Sequence, residues 1–313
     1  KVFGVYRMKI FALSPNEGWI LDRIAAEWKT LRPDITTDNI AEADIIWFIS
    51  PYQWRTVSPS LLQKKKVVVT IHHVTKEKFT RDSLAEFLAR DKYVDTYHVP
   101  CQKTKDFISK ITKKPIVVIG YWYNSQIWSP INKEEAREKM QISSDRYVVG
   151  SFQRDTEGHD LKSPKLEKGP DIFVETVKKI NKKNLLVLLG GWRRQYIMRR
   201  LKEESIDYKF IEMAPLETLR DMYACCDLYI VSSRTEGGPQ AVLEAAAMKT
   251  PIISTDVGMA KDTLSDNCII NMPKNIYIPN TNDVECCYKK VKKYEMHEYV
   301  KEYVSFFAEI LGE

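Results

Sequence analysis

Apolar residues fall along this chain in short, nearly unbroken runs separated by stretches with helical spacing. Val2 to Leu13 reads as a first strand, and Ser14-Pro15-Asn16-Glu17 follows it. A serine able to cap, a proline in the first turn and a glutamate three residues past the cap together make a helix start. Ile20, Ile24, Trp28 and Leu31 then recur at the helical period. Asp44 to Ile49, Val67 to Ile71, Tyr93 to Val99 and Ile116 to Ile119 read as further strands. Runs that are apolar at nearly every position belong to strands covered on both faces. The pattern therefore predicts a parallel sheet between helical layers.

The interval from Tyr121 to Ile142 interrupts this rhythm, with Pro130 inside it and a short helix over Glu134 to Met140. It reads as a domain junction. The rhythm then restarts. Strands are predicted at Tyr147–Phe152, Leu185–Leu189, Phe210–Ile211, Leu228–Val231, Pro251–Ser254 and Cys268–Asn271. Helices are predicted from Pro170, around Tyr196 to Leu201, over Leu216 to Ala224 and over Pro239 to Met248. Two more close the chain, near 282–293 and 295–311, the first bearing Lys289, Lys290, Lys292 and Lys293. The fold class expected is α/β, with two doubly wound, Rossmann-like domains. Two such sheets facing a central cleft offer a place for a ligand.

Composition narrows the classes. The chain has 313 residues, 44% apolar and 29% charged. That suits a globular chain of two domains of about 150 residues each. Its six cysteines lack metal-ligand spacing, so no metal is expected, and the chain reads as reduced and cytoplasmic. A net charge of +6 is too small for a nucleic-acid footprint, so no nucleic acid is expected as a partner. It suits anionic ligands, and the lysines at 289–293 leave open a peripheral contact with an anionic membrane. No dinucleotide fingerprint GxGxxG and no glycine-rich lysine loop is present.

The most informative stretch runs from Ser232 to Ala245. It starts where a buried strand ends. Gly237 and Gly238 let backbone approach a ligand closely, and Pro239 stands at a helix start, whose free amides favour anions or sugar oxygens. Glu236 lies in the loop, and Glu244 about one turn into the helix. Carboxylates accept hydrogen bonds from paired sugar hydroxyls. Lys168, before the Gly169-Pro170 helix start, and Arg154, beyond a strand end, are cations suited to a departing diphosphate. Arg193 and Arg194 follow another strand end and read as phosphate-contacting or solvated.

This stretch resembles the signature of the family 4 (group 1) retaining glycosyltransferases, two glutamates eight positions apart. Those enzymes have the GT-B fold. The resemblance is specific from about 147 to 275 and weaker over 1–130. It implies an acceptor-side domain at 1–130, a nucleotide-sugar-binding domain at 131–285, and a helical segment at 286–313 that packs back on the first domain. It implies that Glu236 contacts the donor sugar and Glu244 the ribose. The amides of Gly237 and Gly238 would lie by sugar and phosphate, and Lys168 on the diphosphate. The family arginine would fall at Ser151, so Arg154 departs from the pattern, as does the long loop from Asp155 to Glu167. Met213, Ala214 and Leu216 fall where the family holds the base. His72 resembles a strand-end histidine near the donor sugar, ahead of its neighbour His73 and of His98. Gly18, beside Asn16 and Glu17, stands alone where the family has several glycines.

Trp19, Trp47, Tyr52, Trp54, Tyr121, Trp122, Tyr123 and Trp128 enrich the first half in aromatics. Trp47 reads as core, and Trp54 and Trp122 as acceptor-side platforms. The function expected is transfer of a sugar from a nucleotide-diphosphate donor, with no tightly bound cofactor, to a carbohydrate or glycan hydroxyl, with retention of configuration. A phosphorylase, hydrolase or epimerase of the same fold, and a non-catalytic sugar- or nucleotide-binding module, are the alternatives.

Overall fold

The computed structural model describes residues 7–18 and 20–313; the start of the expected first strand and Trp19 lie outside them. The chain divides into unit 1, Lys1–Gly120 with His297–Glu313, and unit 2, Tyr121–Met296. Unit 1 alternates β1 (Ile10–Leu13), α1 (Ile20–Leu31), β2 (Ile45–Phe48), α2 (Pro59–Leu62), β3 (Lys66–Thr70), α3 (Arg81–Asp91), β4 (Thr96–Val99), α4 (Gln102–Ile108) and β5 (Ile116–Val118). The strands lie in the order β1-β2-β3-β4-β5, all parallel. Ile10 also bridges Thr36, so the chain leaves β1 on one side and comes back on the other. β2 and β4 are buried at every position, as the unbroken apolar run of β2 requires; in β4 the burial takes in Thr96 and His98 as well. One face of the sheet packs Phe48, Val67, Val69, Tyr97 and Val99 with Phe87 of α3 and Ile108 of α4.

The entry to α1 differs from its expected form. The helix begins at Ile20, not near Ser14. The amides of Asn16, Glu17 and Gly18 all donate to the Asp22 carboxylate, at 2.7, 2.6 and 2.7 Å. Burial works against that charge, but the Ser14 hydroxyl and these amides hold the carboxyl below the usual range. The loop is thus organised by a carboxylate inside the helix.

Unit 2 comprises α5 (Lys133–Lys139), β6 (Tyr147–Ser151), a hairpin of β7 (Thr156–Glu157) and β8 (Ser163–Pro164), then α6 (Pro170–Val177), β9 (Leu185–Gly191) and α7 (Gln195–Glu203). It continues with β10 (Tyr208–Glu212), α8 (Leu216–Cys225), β11 (Leu228–Val231), α9 (Gln240–Ala247), β12 (Ile252–Ser254), α10 (Ala260–Thr263) and α11 (Thr281–Val291). Its sheet runs β10-β9-β6-β11-β12, again all parallel. The first strand of the unit, β6, is central, with β9 on one side and β11 on the other. Chain direction across the sheet reverses there, and the carboxyl ends of β6 and β11 splay around a switch point. Val149, Val187, Leu189 and Ile230 pack one face of this sheet against Phe173 and Val177 of α6 and Ile197 and Leu201 of α7.

Of the two closing helices, α11 stays in unit 2 and α12 (Met296–Leu311) returns to unit 1. The return is made by one helix rather than by both. Phe307 meets Trp28 and Trp47 at 5.4 and 5.3 Å between ring centroids, and the Tyr303 hydroxyl donates to the Gly120 carbonyl at 2.9 Å. Ring pairs of this kind contribute about 0.5–1.5 kcal/mol beyond area burial. Trp47 is core, as expected. Trp54 and Trp122 are core as well, 7% and 1% exposed, which corrects their reading as platforms. Trp54 spends its N–H on Glu86 at 2.6 Å. Tyr52, by contrast, is exposed.

Two histidines at strand ends of unit 1 are held neutral. His98 donates from Nε2 to the Ile119 carbonyl at 2.8 Å, which leaves Nδ1 to accept from the Thr70 hydroxyl at 2.9 Å. Thr70 in turn accepts from the Trp47 indole at 2.9 Å. Burial pushes His98 down to about 4. Burial also lowers His72 to about 4, against the bond from its Nε2 to the Ile49 carbonyl. The unfolded chain binds these protons near pH 6.5, and the folded one does not until about pH 4. Stability should therefore fall as pH drops from about 6.5 to about 4. Denaturant midpoints measured across that interval will show the decline, and a flat profile would mean that the folded state protonates both rings.

Candidate functional site

The site is built where β6 and β11 end. From Ser151 the chain runs out through the β7–β8 hairpin and comes back at Lys168. There it takes a left-handed turn at Gly169, φ 61°, and enters α6 with Pro170 in the first turn. A Cβ at Gly169 would stand 1.9 Å from the Ser232 carbonyl oxygen. Only glycine admits both the φ and the approach. That approach sets Lys168 beside the loop that follows β11. Lys168 Nζ lies 2.5 Å from Glu236 Oε1, with both side chains largely buried. The Ser233 hydroxyl is 3.0 Å from the same carboxylate oxygen and 3.3 Å from Gln153 Oε1. Gln153 Nε2 donates to the Lys168 carbonyl at 2.9 Å. Two strand-end loops are thereby tied into one polar cluster.

The loop after β11 is fixed along its length. The amides of Arg234 and Thr235 donate to the Glu167 carbonyl at 2.8 and 3.1 Å. The Arg234 guanidinium grips both oxygens of Asp171, at 2.7 and 2.6 Å. Thr255 donates to the Ser233 carbonyl at 2.5 Å. At Gly258, φ 49°, a Cβ would come within 2.2 Å of the Gly237 carbonyl oxygen, so the next strand-end loop presses against the glycine pair. Pro239 stands at the N-cap of α9, and no side chain caps that helix. Its first amides thus point out beside Gly237 and Gly238 with their dipole aimed at whatever binds there.

Glu244 is 4% exposed. One of its oxygens accepts from the Tyr223 hydroxyl at 2.9 Å. Burial, and then the Glu244 charge, push the Tyr223 hydroxyl well above its ordinary range. Tyr223 sits edge-on to Phe152 at 4.8 Å and to Trp128 at 5.7 Å. The Tyr229 hydroxyl accepts from the Phe152 amide at 3.0 Å. Sequence reasoning missed Gln153, Ser233 and Tyr223. Gln153 and Ser233 carried a weak signal, because Gln153 directly follows, and Ser233 lies two residues past, a strand already read as ending at the site.

The three arginines part company. Arg154 donates from Nε to the Thr156 carbonyl at 3.1 Å, and Arg193, at φ 54°, is 3.4 Å from the Gly158 carbonyl. Their guanidinium carbons stand 4.9 and 4.3 Å from the Trp192 ring. Arg194 is neither phosphate-facing nor solvated. It is 0% exposed and bound to Asp155, to the carbonyls of Ser151 and Gly190, and to the Ser151 hydroxyl. Met213 is exposed, with its amide on the Gly191 carbonyl at 3.3 Å. His72 belongs to unit 1, and its carbonyl accepts from the Thr104 hydroxyl at 3.3 Å. Among the described residues no group of His, Cys, Asp and Glu could hold a metal ion, and no helix is long and apolar enough to cross a membrane.

Residues 161–293 match a family model described as Glycosyl transferases group 1. The alpha-galactosylglucosyldiacylglycerol synthase of Streptococcus pneumoniae is 24% identical over 172 residues, which cover 50% of this chain and 42% of that protein. The match thus spans less than half of the relative's length. Among solved structures, HepE of Anabaena in complex with UDP and glucose superposes with a TM-score of 0.75 and 13% identity, over 97% of this chain and 100% of that one. Sucrose-phosphate synthase from Thermosynechococcus elongatus gives 0.67 and 16%, over 96% and 81%. At such identities the likeness speaks for the fold, and the fold is GT-B: two Rossmann-like domains with parallel sheets.

The close approach at Gly169 yields a direct test. Gly169→Ala meets a backbone oxygen and a disfavoured φ at once, so it should lower unfolding free energy by about 2 kcal/mol or more. Urea denaturation reads the loss. Wild-type stability in that variant would mean that Gly169 is not held against Ser232.

Proposed function

We propose that this chain, whose residues 161–293 match the group 1 glycosyltransferase family model, moves a sugar from a nucleotide-diphosphate sugar to an acceptor hydroxyl with retention, as family 4 enzymes do. The observation that carries the reading is the Lys168–Glu236 pair at the switch point of the unit 2 sheet, with Ser233 on the same carboxylate oxygen. A lysine and a carboxylate side by side match the two ends of the bond to be broken. The ammonium faces a diphosphate oxygen, and the carboxylate accepts from sugar hydroxyls. Glu244, oriented by Tyr223, takes the ribose hydroxyls. The amides at Gly237, Gly238 and the start of α9, together with Arg154 and Arg193, spread the charge of the departing diphosphate.

In the proposed reaction the acceptor oxygen bonds to the anomeric carbon on the face from which the diphosphate leaves. The anomeric carbon–phosphate oxygen bond breaks with its electron pair on the diphosphate. A diphosphate oxygen receives the acceptor's proton, so no side-chain base is required. The first donors to test are UDP-sugars, because a protein of this fold binds UDP and glucose. Glycan and lipid-linked sugar acceptors follow, because a relative is named as a glycolipid synthase. Contact with an anionic membrane through α11 is part of that reading.

Two measurements test it. UDP or GDP at 100 times its dissociation constant should stabilise the fold by about 2.7 kcal/mol; no shift with either at millimolar concentration would count against a nucleotide site. With the donor so found, Glu236→Gln should lower kcat/KM about 100-fold or more, and the product's anomeric proton coupling should match the donor's. Full transfer by the Glu236→Gln variant would remove the donor-site assignment.

A further inference from the structure

Lys168 and Gln153 both lie in the long excursion between β6 and α6. Its regular structure is a hairpin of two short strands and a single 3-10 turn over Leu166–Lys168. An excursion of this kind is costly to order, at about 1–2 kcal/mol per residue for the backbone alone. Yet its return point must place an ammonium against a carboxylate. The source of that order lies beneath the cluster and touches neither Lys168 nor Glu236.

Arg194 reaches from the residue before α7 into the unit 2 interior, where its side chain and that of Asp155 are 0% and 1% exposed. Its Nη1 donates to the carbonyls of Ser151 and Gly190, each at 2.5 Å, and its Nη2 to the Ser151 hydroxyl at 3.1 Å. Those atoms sit at the carboxyl ends of β6 and β9. Its Nε donates to Asp155 Oδ2. Asp155 is the neck of the excursion. Its carbonyl accepts from the Lys165 amide at 2.7 Å, and the amides of Asp155 and Thr156 donate to the Arg193 carbonyl at 3.4 and 3.1 Å. The Thr156 hydroxyl donates to Asp155 Oδ1 at 2.7 Å and accepts from the Tyr196 amide at 2.9 Å. The Lys168 amide then closes back on the Lys165 carbonyl at 2.9 Å. The path from guanidinium to lysine is continuous in hydrogen bonds.

We propose that Arg194 and Asp155 are positioning residues for the donor site: a buried ion pair that clamps the neck of the excursion to the ends of β6 and β9 and so fixes where Lys168 and Gln153 stand. The inference rests on the reading of Lys168 as a donor-binding cation. A pair buried only for stability could be exchanged for apolar residues of similar bulk with little loss, and such exchanges are often neutral or stabilising. A positioning pair cannot be exchanged in this way, because the carbonyl ties go with it.

The test therefore uses the double variant Arg194→Met/Asp155→Leu beside Arg194→Lys, Lys168→Ala and the triple combination, each as the full chain. Hydrogen exchange on the ligand-free protein comes first. Amides of Thr156, Lys165, Lys168 and Gly169 should exchange about tenfold faster or more in the double variant, while amides within β6 and β9 keep their protection. Wild-type protection at Lys165 and Lys168 would overturn the proposal. If the double variant fails to fold, Arg194→Lys, which keeps the charge but not the fork, carries the same readout. Binding of UDP and GDP then separates the two readings. Positioning predicts a weakening of at least tenfold in the double variant and little further loss when Lys168→Ala is added to it. Full additivity of the two losses would sink the positioning role. Unchanged nucleotide affinity in Lys168→Ala alone would instead sink the donor-site reading, with the exchange result still deciding the clamp.

Discussion

The unit 2 site depends on one backbone approach, that of Gly169 to the carbonyl of Ser232. The Ser232 hydroxyl completes it by donating to the Gly169 carbonyl at 2.9 Å. Two strand-end loops are welded there with no side chain larger than the Ser232 hydroxyl between them, and the polar groups on each come to face one another. A β-carbon would hold the loops apart and leave Lys168 and Glu236 each seeking a separate partner. The constraint is steric, but its effect is electrostatic.

That effect has two sides. The Lys168–Glu236 pair is partly withdrawn from water, so each charge relies on the other. Taking one partner away would strand the second in a poorly hydrated place. A ligand that offers a diphosphate oxygen to the lysine and hydroxyls to the carboxylate replaces both partners together, and it does so without leaving a bare charge. A ligand with only one of these features does not. On the proposed reading, the pair keeps both charges satisfied by itself, and a whole donor is favoured over its fragments.

Much of this was legible in the chain. The buried strands announced themselves because a strand covered on both faces has no polar side to show: Ile45–Phe48 and Leu228–Val231 are read at sight. Glu236, Glu244, Lys168 and the glycines stood out because few other structures need that succession at a strand end. What stayed hidden was decided by burial or by distant contacts. Arg194 beside Arg193 looks like a second surface cation, and only the fold shows one turned inward to carbonyl oxygens. Trp54 and Trp122 have the amphipathic character of either a platform or a core residue. The start of α1 was misplaced because Asp22 captures three amides from inside the helix, where capping rules look in front of it. Tyr223, the partner of Glu244, lies on another helix with no mark in its own neighbourhood.

The placement of α12 bears on the order of assembly. Trp28 and Trp47 come early in the chain, while Phe307 and Tyr303, which cover them, come near its end. Unit 2 is continuous in sequence and lies wholly between. On a ribosome, which issues the chain from its first residue, unit 2 has all its parts before unit 1 does. The indoles of Trp28 and Trp47 then wait without these partners through the synthesis of the whole second unit. Unit 1 is thus finished only after unit 2 has been made, and its closure spans the whole of that unit.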